Sequence, residues 1–208
     1  MSHGLERVLG QTAWRRLPAA VQARFGSPVT AVDYVGEFEI VRASLLGLFI
    51  AWLCILIGKP VVPRTGRQVP AIVRVGPTDR GVVWKREYQW PDKSTCLVRS
   101  TKVIEPDGTL VEELPARLCM PLDVYEQSGA LHFVSRGYYF DLGDWGGVGR
   151  IRIPLPAWLS PGTTHVEHID QAQGWFRFTM TVTHPLFGEL FYQTGLFRAA
   201  AVGSGELV

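Results

Sequence analysis

The chain has 208 residues, of which 47% are hydrophobic and 19% charged, a composition that indicates a globular core and argues against disorder. Its 21 basic and 19 acidic residues leave a net charge of only +2. The basic residues are scattered, so no stripe is present to neutralise a run of phosphates, and we expect no nucleic-acid partner.

Three cysteines, Cys54, Cys96 and Cys119, show no metal-type spacing. We expect free thiols in a reducing compartment. The first residues include Glu6 and lack the order of a secretory signal. A cytoplasmic location is therefore expected, with no cofactor and no bound metal.

The chain begins with a predicted helical lead-in over 1–30. Apolar residues recur at helical spacing between Leu5 and Phe25, and Pro18 can open a second short helix there. From Val32 the pattern changes to period two, which predicts a strand with Tyr34, Gly36, Phe38 and Ile40 on one face.

An apolar segment follows this strand, from Ser44 to Gly58, without a single charge. As a helix it would span about 22 Å at ~1.5 Å per residue, less than the ~30 Å of a bilayer core. A lid or a buried helix is the favoured interpretation. Because Trp52 and Phe49 suit a lipid interface, weak membrane association stays open as an alternative.

The rest of the chain reads as strands separated by turn signals, among them Asp107-Gly108 and Ser128-Gly129. We predict a mainly β fold: an antiparallel meander of roughly ten strands, closed as a calycin- or lipocalin-like barrel. The barrel would cover 32–199, with a lid helix over 44–58, and 1–208 would form a single domain. A twisted sheet wrapped around the apolar helix is the alternative.

Alternation within the strands predicts an interior binding surface. One face of residues 84–90 combines aromatic side chains with Arg86, a cation that needs a carboxylate or a ligand once buried. If that face points outwards, Arg86 stacks on surface tryptophans instead. The glycine-rich segment 143–149 is interpreted as a loop at the barrel mouth. The predicted ligand-binding residues are Trp84, Arg86, Tyr88, Trp145, Phe176, Phe178 and Met180.

A second polar cluster lies in residues 164–170. Extended geometry places His165 and Glu167 on one face and His168 and Asp170 on the other, so a metal site would need further ligands. A carboxylate that orients an imidazole can make a general base near neutral pH. The candidate catalytic residues are His184, Glu167, Tyr192 and His132.

Several segments carry a resemblance to a known family. "YVGEFEI" and "VWKREYQW" precede "RIRIPLPAWLSP", "VEHID" and "WFRFTMTVTHPLFGELFYQTGLF". In this order they resemble an uncharacterised bacterial domain of unknown function, often fused C-terminal to saccharopine-dehydrogenase-like or short-chain reductase domains. The resemblance covers about Leu17 to Phe197. It implies a module that accompanies redox enzymes of small, lipid-like metabolites, and hence a reductase partner protein.

Three functions fit these observations. The first is a barrel that binds a hydrophobic or amphipathic small molecule in its interior. The second is a cofactor-independent cyclase or isomerase acting on a hydrophobic biosynthetic intermediate in the same barrel, through orientation and desolvation. The third is a peripheral membrane or interaction module that uses the apolar helix.

Overall fold

The computed structural model describes residues 4–200, so the outer ends of the predicted 1–208 domain lie outside the described residues. The strands are β1 Val32–Ala43, β2 Gly66–Pro77, β3 Val82–Gln89, β4 Thr95–Ile104, β5 Leu110–Glu113, β6 Leu118–Gln127, β7 Ala130–Ser135, β8 Tyr139–Asp144, β9 Arg150–Pro154, β10 Thr163–Asp170, β11 Trp175–His184 and β12 Gly188–Ala199. The helices are α1 Leu5–Leu9, α2 Gln11–Trp14, α3 Ala19–Phe25 and α4 Leu45–Leu53, and α4 continues as a 3₁₀ turn over Cys54–Ile57.

Ten of these strands close into an antiparallel barrel. Their order is β5-β4-β3-β2-β1-β12-β11-β10-β7-β6, and β6 pairs with β5 to complete the ring. The β8–β9 hairpin is attached through β6 and lies outside the ring. The predicted fold class is confirmed: mainly β, with a closed calycin- or lipocalin-like barrel and an apolar helix inserted after the first strand.

Strand β1 has the predicted bounds but not the predicted inward face along its whole length. Tyr34 and Phe38 are buried as expected. Between Phe38 and Ile40, however, the register of the pairing with β12 shifts. Such a bulge inserts one extra residue and reverses the alternation beyond it. Val41, rather than Ile40, is therefore the buried residue near the end of β1.

An aromatic core fills the middle of the barrel. The Phe38 ring lies 4.7 Å from Tyr88, 5.0 Å from Phe197 and 6.0 Å from Phe178, measured between ring centroids. The Tyr88 hydroxyl donates a 2.9 Å hydrogen bond to Gln193 Oε1. Burial raises the pKa of Tyr88 to about 12, so this phenol stays protonated and serves as a donor.

One end of the barrel, here called the N-terminal mouth, is covered by α1 and α3. Pro18 precedes α3 and Gly26 follows it, as predicted. The helix inserts Phe25 into the mouth, where its ring lies 5.7 Å from Trp84 and 4.8 Å from His168.

The opposite end, here called the lid end, is crossed by α4 and its 3₁₀ turn. At the start of α4, a Cβ on Gly47 would lie 2.2 Å from the carbonyl oxygen of Leu190, so only glycine permits this contact. After the turn, Gly58 has a φ of +93° and approaches Pro115, between β5 and β6. The segment therefore spans the barrel end from β12 to the β5–β6 connection. Within residues 4–200, no helix is long and apolar enough to cross a bilayer.

Candidate functional site

A cavity of about 440 Å³ opens at the N-terminal mouth. The helices α1 and α3 form one wall, and the β2–β3 and β4–β5 hairpins form the other. Leu5, Phe25 and Trp84 give it an apolar lining, into which Arg24 and Lys102 bring positive charge. Small-molecule sites commonly have volumes of roughly 300–1,000 Å³ with a few placed polar groups. The cavity therefore has the size and composition of a ligand site.

Arg24 is the polar residue that α3 contributes to this cavity. Its guanidinium carbon lies 3.6 Å from the ring centroid of Phe176. Within the described part of the chain, its Nε and Nη1 atoms are buried without a hydrogen-bond partner. Burial lowers the pKa of Arg24, although Tyr34 and Asp170 oppose that shift. Unpaired buried donors cost about 1–3 kcal/mol, so an acceptor here would be stabilising.

Beneath the cavity, three charged side chains form a buried group. Lys102 Nζ lies 2.8 Å from Glu112 Oε2, and Arg86 Nη2 lies 3.8 Å from Glu112 Oε1. The β4–β5 hairpin turns at Asp107-Gly108 and places Lys102 directly opposite Glu112. Burial alone would raise the pKa of Glu112, but the two cations outweigh it, and the pKa is lowered. Glu112 is therefore ionised and holds two cations inside the barrel.

His168 lies beside these charges in aromatic surroundings. Its ring centroid is 4.8 Å from that of Phe25 and 5.3 Å from that of Phe178. Burial lowers its pKa well below the usual value, and the nearby Arg24, Lys102 and Arg86 act in the same direction. His168 is therefore an uncharged side chain at neutral pH.

The predicted ligand-binding residues divide between three places. Trp84 lines the cavity at the N-terminal mouth. Trp145 is 64% exposed on the β8–β9 hairpin, outside the ring, and its Nε1 donates to the Leu142 carbonyl at 3.2 Å. The others point into the barrel below the cavity or towards the lid end: Arg86, Tyr88, Phe176, Phe178 and Met180.

Two of the candidate catalytic residues meet on the outer face of the barrel. His132 Nε2 lies 3.6 Å from Glu167 Oε1, and His132 Nδ1 lies 3.0 Å from His165 Nε2. Tyr125 stacks on the His132 ring at 4.8 Å. Burial lowers the pKa of His132 despite the opposing effect of Glu167. Across residues 4–200, no group of three His, Cys, Asp or Glu side chains has an arrangement that could hold a metal ion.

The other two candidates lie elsewhere. His184 is buried at the lid end, where its Nδ1 accepts from the Leu186 amide at 3.1 Å and its ring stacks on Phe187 at 4.7 Å. Tyr192 lies on the outer face, with the Arg42 guanidinium 5.0 Å from its ring. Because His184 continues the inward alternation of β11 and Glu167 faces outwards, the two are not brought together.

The comparisons with known proteins agree with the resemblance seen in the sequence. A family model for a domain of unknown function, DUF4166, matches residues 17–197. The chain belongs to the DUF4166 family. No curated protein and no solved structure gave a match. The membership of an uncharacterised family is thus confirmed, whereas the fusion to reductase domains and the reductase partner of this DUF4166 domain stay predictions.

The charged residues of the DUF4166 cavity were not among those predicted from the sequence. Arg24 reads as an ordinary charge at the end of a short helix, and Lys102 and Glu112 as solvent-facing charges of two strands. A signal was present nevertheless. The Asp107-Gly108 turn fixes the hairpin register, and this register pairs Lys102 with Glu112 on the face that carries Leu110.

Proposed function

We propose that this barrel binds an amphipathic small molecule at its N-terminal mouth. The apolar body of the ligand occupies the cavity between α3 and the β2–β5 strands, and its anionic group meets Arg24. The observation that carries the proposal is the buried Arg24 guanidinium, which lines an apolar cavity of about 440 Å³ with two donors unpaired in the described part of the chain.

The charged residues that line the cavity are Arg24, Asp79, Arg80 and Lys102, and their excess of positive charge supports an anionic group rather than a cationic one. Lys102 also lines the cavity, and Glu112 below it is already bonded to Lys102. A carboxylate or phosphate gains charge-assisted hydrogen bonds from a guanidinium, which are about twice as strong as neutral ones. A ligand ammonium would be repelled by the positive charges of Arg24 and Lys102, which both line the cavity.

The same geometry gives less support to the cyclase or isomerase alternative through the predicted acid–base residues. None of His184, Glu167, Tyr192 and His132 is among the residues that line this cavity. Proton transfer needs the acid or base within hydrogen-bond reach of the substrate. Binding is therefore the function that the cavity supports best.

The test compares ligands that differ only in their head group. Dodecanoate and dodecanol are titrated by displacement of the fluorescent probe 1-anilinonaphthalene-8-sulfonate. We expect dodecanoate to bind at least about tenfold more tightly, the gain from one good charge-assisted bond. In Arg24→Met, this preference should disappear while dodecanol affinity is retained.

Arg198→Met is the matched control, because Arg198 also lies over an aromatic ring, 4.9 Å from Trp175, but does not line the cavity. Its affinities should equal those of the parent. If neither ligand binds the parent protein, the proposed function is wrong. Equal loss of dodecanoate affinity in both arginine variants would remove Arg24 from the site.

A further inference from the structure

The lid segment consists of α4 and its 3₁₀ turn, and it directs several large apolar side chains away from the barrel. Its small residues, Gly47 and Ala51, are the buried ones and contact the barrel end. Leu46 and Ile50 are half-buried against the same end. Five other large side chains point into solvent, with Leu45 88% exposed and Leu56 87%. The exposed apolar side chains of this segment are Leu45, Phe49, Trp52, Leu53 and Leu56. Soluble surfaces rarely gather large apolar side chains in this way without a binding role.

Two neighbouring loops extend this surface. The β11–β12 turn exposes Leu186 and Phe187 just before Leu190, the residue on which α4 packs. The β9–β10 loop exposes Trp158 and Leu159, and its Gly162 packs against the end of β11. We call these four residues and the five of the lid segment the apolar tip. It draws on three separate parts of the chain at one barrel end.

Positive charge flanks the apolar tip. Lys59 follows the 3₁₀ turn, Arg67 lies at the start of β2, and Lys93 lies in the β3–β4 turn at the same end. All three are exposed, and within residues 4–200 none of them has an ion-pair partner. Arg42 and Arg64 lie nearby but are ion-paired. The excess of cations beside an apolar surface complements a negatively charged bilayer.

We propose that the apolar tip and its three flanking cations dock this protein onto the surface of an anionic lipid bilayer. Indole and phenyl rings are favoured at the level of the lipid headgroups, where Trp52, Trp158 and Phe187 would lie. Lys59, Arg67 and Lys93 then contact the lipid phosphates. The N-terminal mouth, at the opposite end of the barrel, stays open to solvent in this orientation.

The test is co-sedimentation with vesicles of phosphatidylcholine, alone or mixed with phosphatidylglycerol at about three to one. The full chain should sediment with the mixed vesicles, and raising the salt concentration should weaken the binding. Trp52→Ser/Trp158→Ser should reduce the partition coefficient at least about tenfold, because both rings leave the interface. A parent protein that stays in the supernatant with both vesicle types overturns the proposal.

Trp145→Ser is the matched control, since Trp145 and Trp52 are each 64% exposed but Trp145 lies on the β8–β9 hairpin. Trp145→Ser should sediment like the parent. If it loses as much vesicle binding as Trp52→Ser/Trp158→Ser, the assignment of the apolar tip is wrong. Lys59→Gln/Arg67→Gln/Lys93→Gln should weaken binding to the anionic vesicles by about fivefold for each charge removed.

A second copy of the chain is the competing occupant of the tip. Sedimentation velocity without lipid distinguishes it. A monomeric parent supports docking to the bilayer, whereas a dimer that dissociates in Trp52→Ser/Trp158→Ser overturns it. Thermal unfolding of each variant must match the parent, as expected for changes at exposed positions.

Discussion

Lys102 donates a 2.8 Å hydrogen bond to Glu112 inside the barrel, and Arg86 approaches the other oxygen of the same carboxylate. Both partners of the close pair are almost fully buried. Since one carboxylate compensates two cations, Glu112 is the residue on which this group depends.

The first prediction concerns that carboxylate. Glu112→Gln leaves two buried cations without a countercharge and should lower the free energy of unfolding by about 3–5 kcal/mol, measured by urea denaturation. The double variant Lys102→Met/Glu112→Gln removes one of the two cations and should recover part of the loss. A double variant no more stable than Glu112→Gln contradicts this account.

The pH dependence of stability should report on His168. The unfolded chain protonates this histidine near pH 6.5, whereas burial and three nearby cations lower its pKa in the folded state. Below pH 6.5 the unfolded state therefore binds more protons. As the pH is lowered below 6.5, this residue should decrease the free energy of unfolding by up to about 1.4 kcal/mol per pH unit.

His168→Phe should remove this contribution between pH 6.5 and about 5, a window above the range where carboxylates titrate. His132 contributes in the same direction and stays in the variant, so a smaller slope is expected to remain. Urea denaturation at a series of pH values measures both slopes. An undiminished slope in His168→Phe would show that His168 is not the neutral group inferred.

Phe25 should contribute more to stability than its place in a short helix suggests. Its ring packs between Trp84, Phe133 and His168. Phe25→Ala should cost about 3–5 kcal/mol and widen the mouth cavity. Phe49→Ala, at a phenylalanine that is 60% exposed on α4, should change stability by no more than about 0.5 kcal/mol. Thermal unfolding measures both changes. Similar losses of stability in the two variants would contradict the inference that Phe25 anchors α3 in the N-terminal mouth.

The contact of α4 with the barrel should depend on Gly47. A methyl group there would lie 2.2 Å from the Leu190 carbonyl oxygen, so Gly47→Ala must displace the helix. A loss of about 1–3 kcal/mol is expected in urea denaturation. Gly147→Ala, where nothing lies within 4 Å of the added carbon, is the control and should be neutral.

Local patterns were sufficient to predict the strands and most of their faces. The alternation in β11 predicts Phe176 and Phe178 on one inward face, and both side chains are buried inside the barrel. The inward position of Ile40 was wrong, since nothing in the alternation around it marks the bulge beside Phe38. The phase change follows from pairing with β12, far away in the chain.

The candidate site was less accessible to sequence reasoning. A helix that is apolar on every side, as α4 is, gives no pattern that tells which side faces the barrel. The side that carries Gly47 and Ala51 faces the barrel, because these small residues let α4 approach the Leu190 backbone most closely. The mouth cavity likewise joins Arg24 to Lys102, residues that no local period connects.

The seam of the barrel has a consequence for how quickly it forms. β1 pairs with β12, so that Tyr34 lies opposite Ala199, and the Ala200 amide donates to the Asp33 carbonyl at 2.7 Å. Almost the whole chain must be drawn into a loop before these contacts stabilise anything, and such non-local pairing makes folding slow. We expect refolding to take milliseconds to seconds or longer, and the pairing of β1 with β12 to be the rate-limiting step.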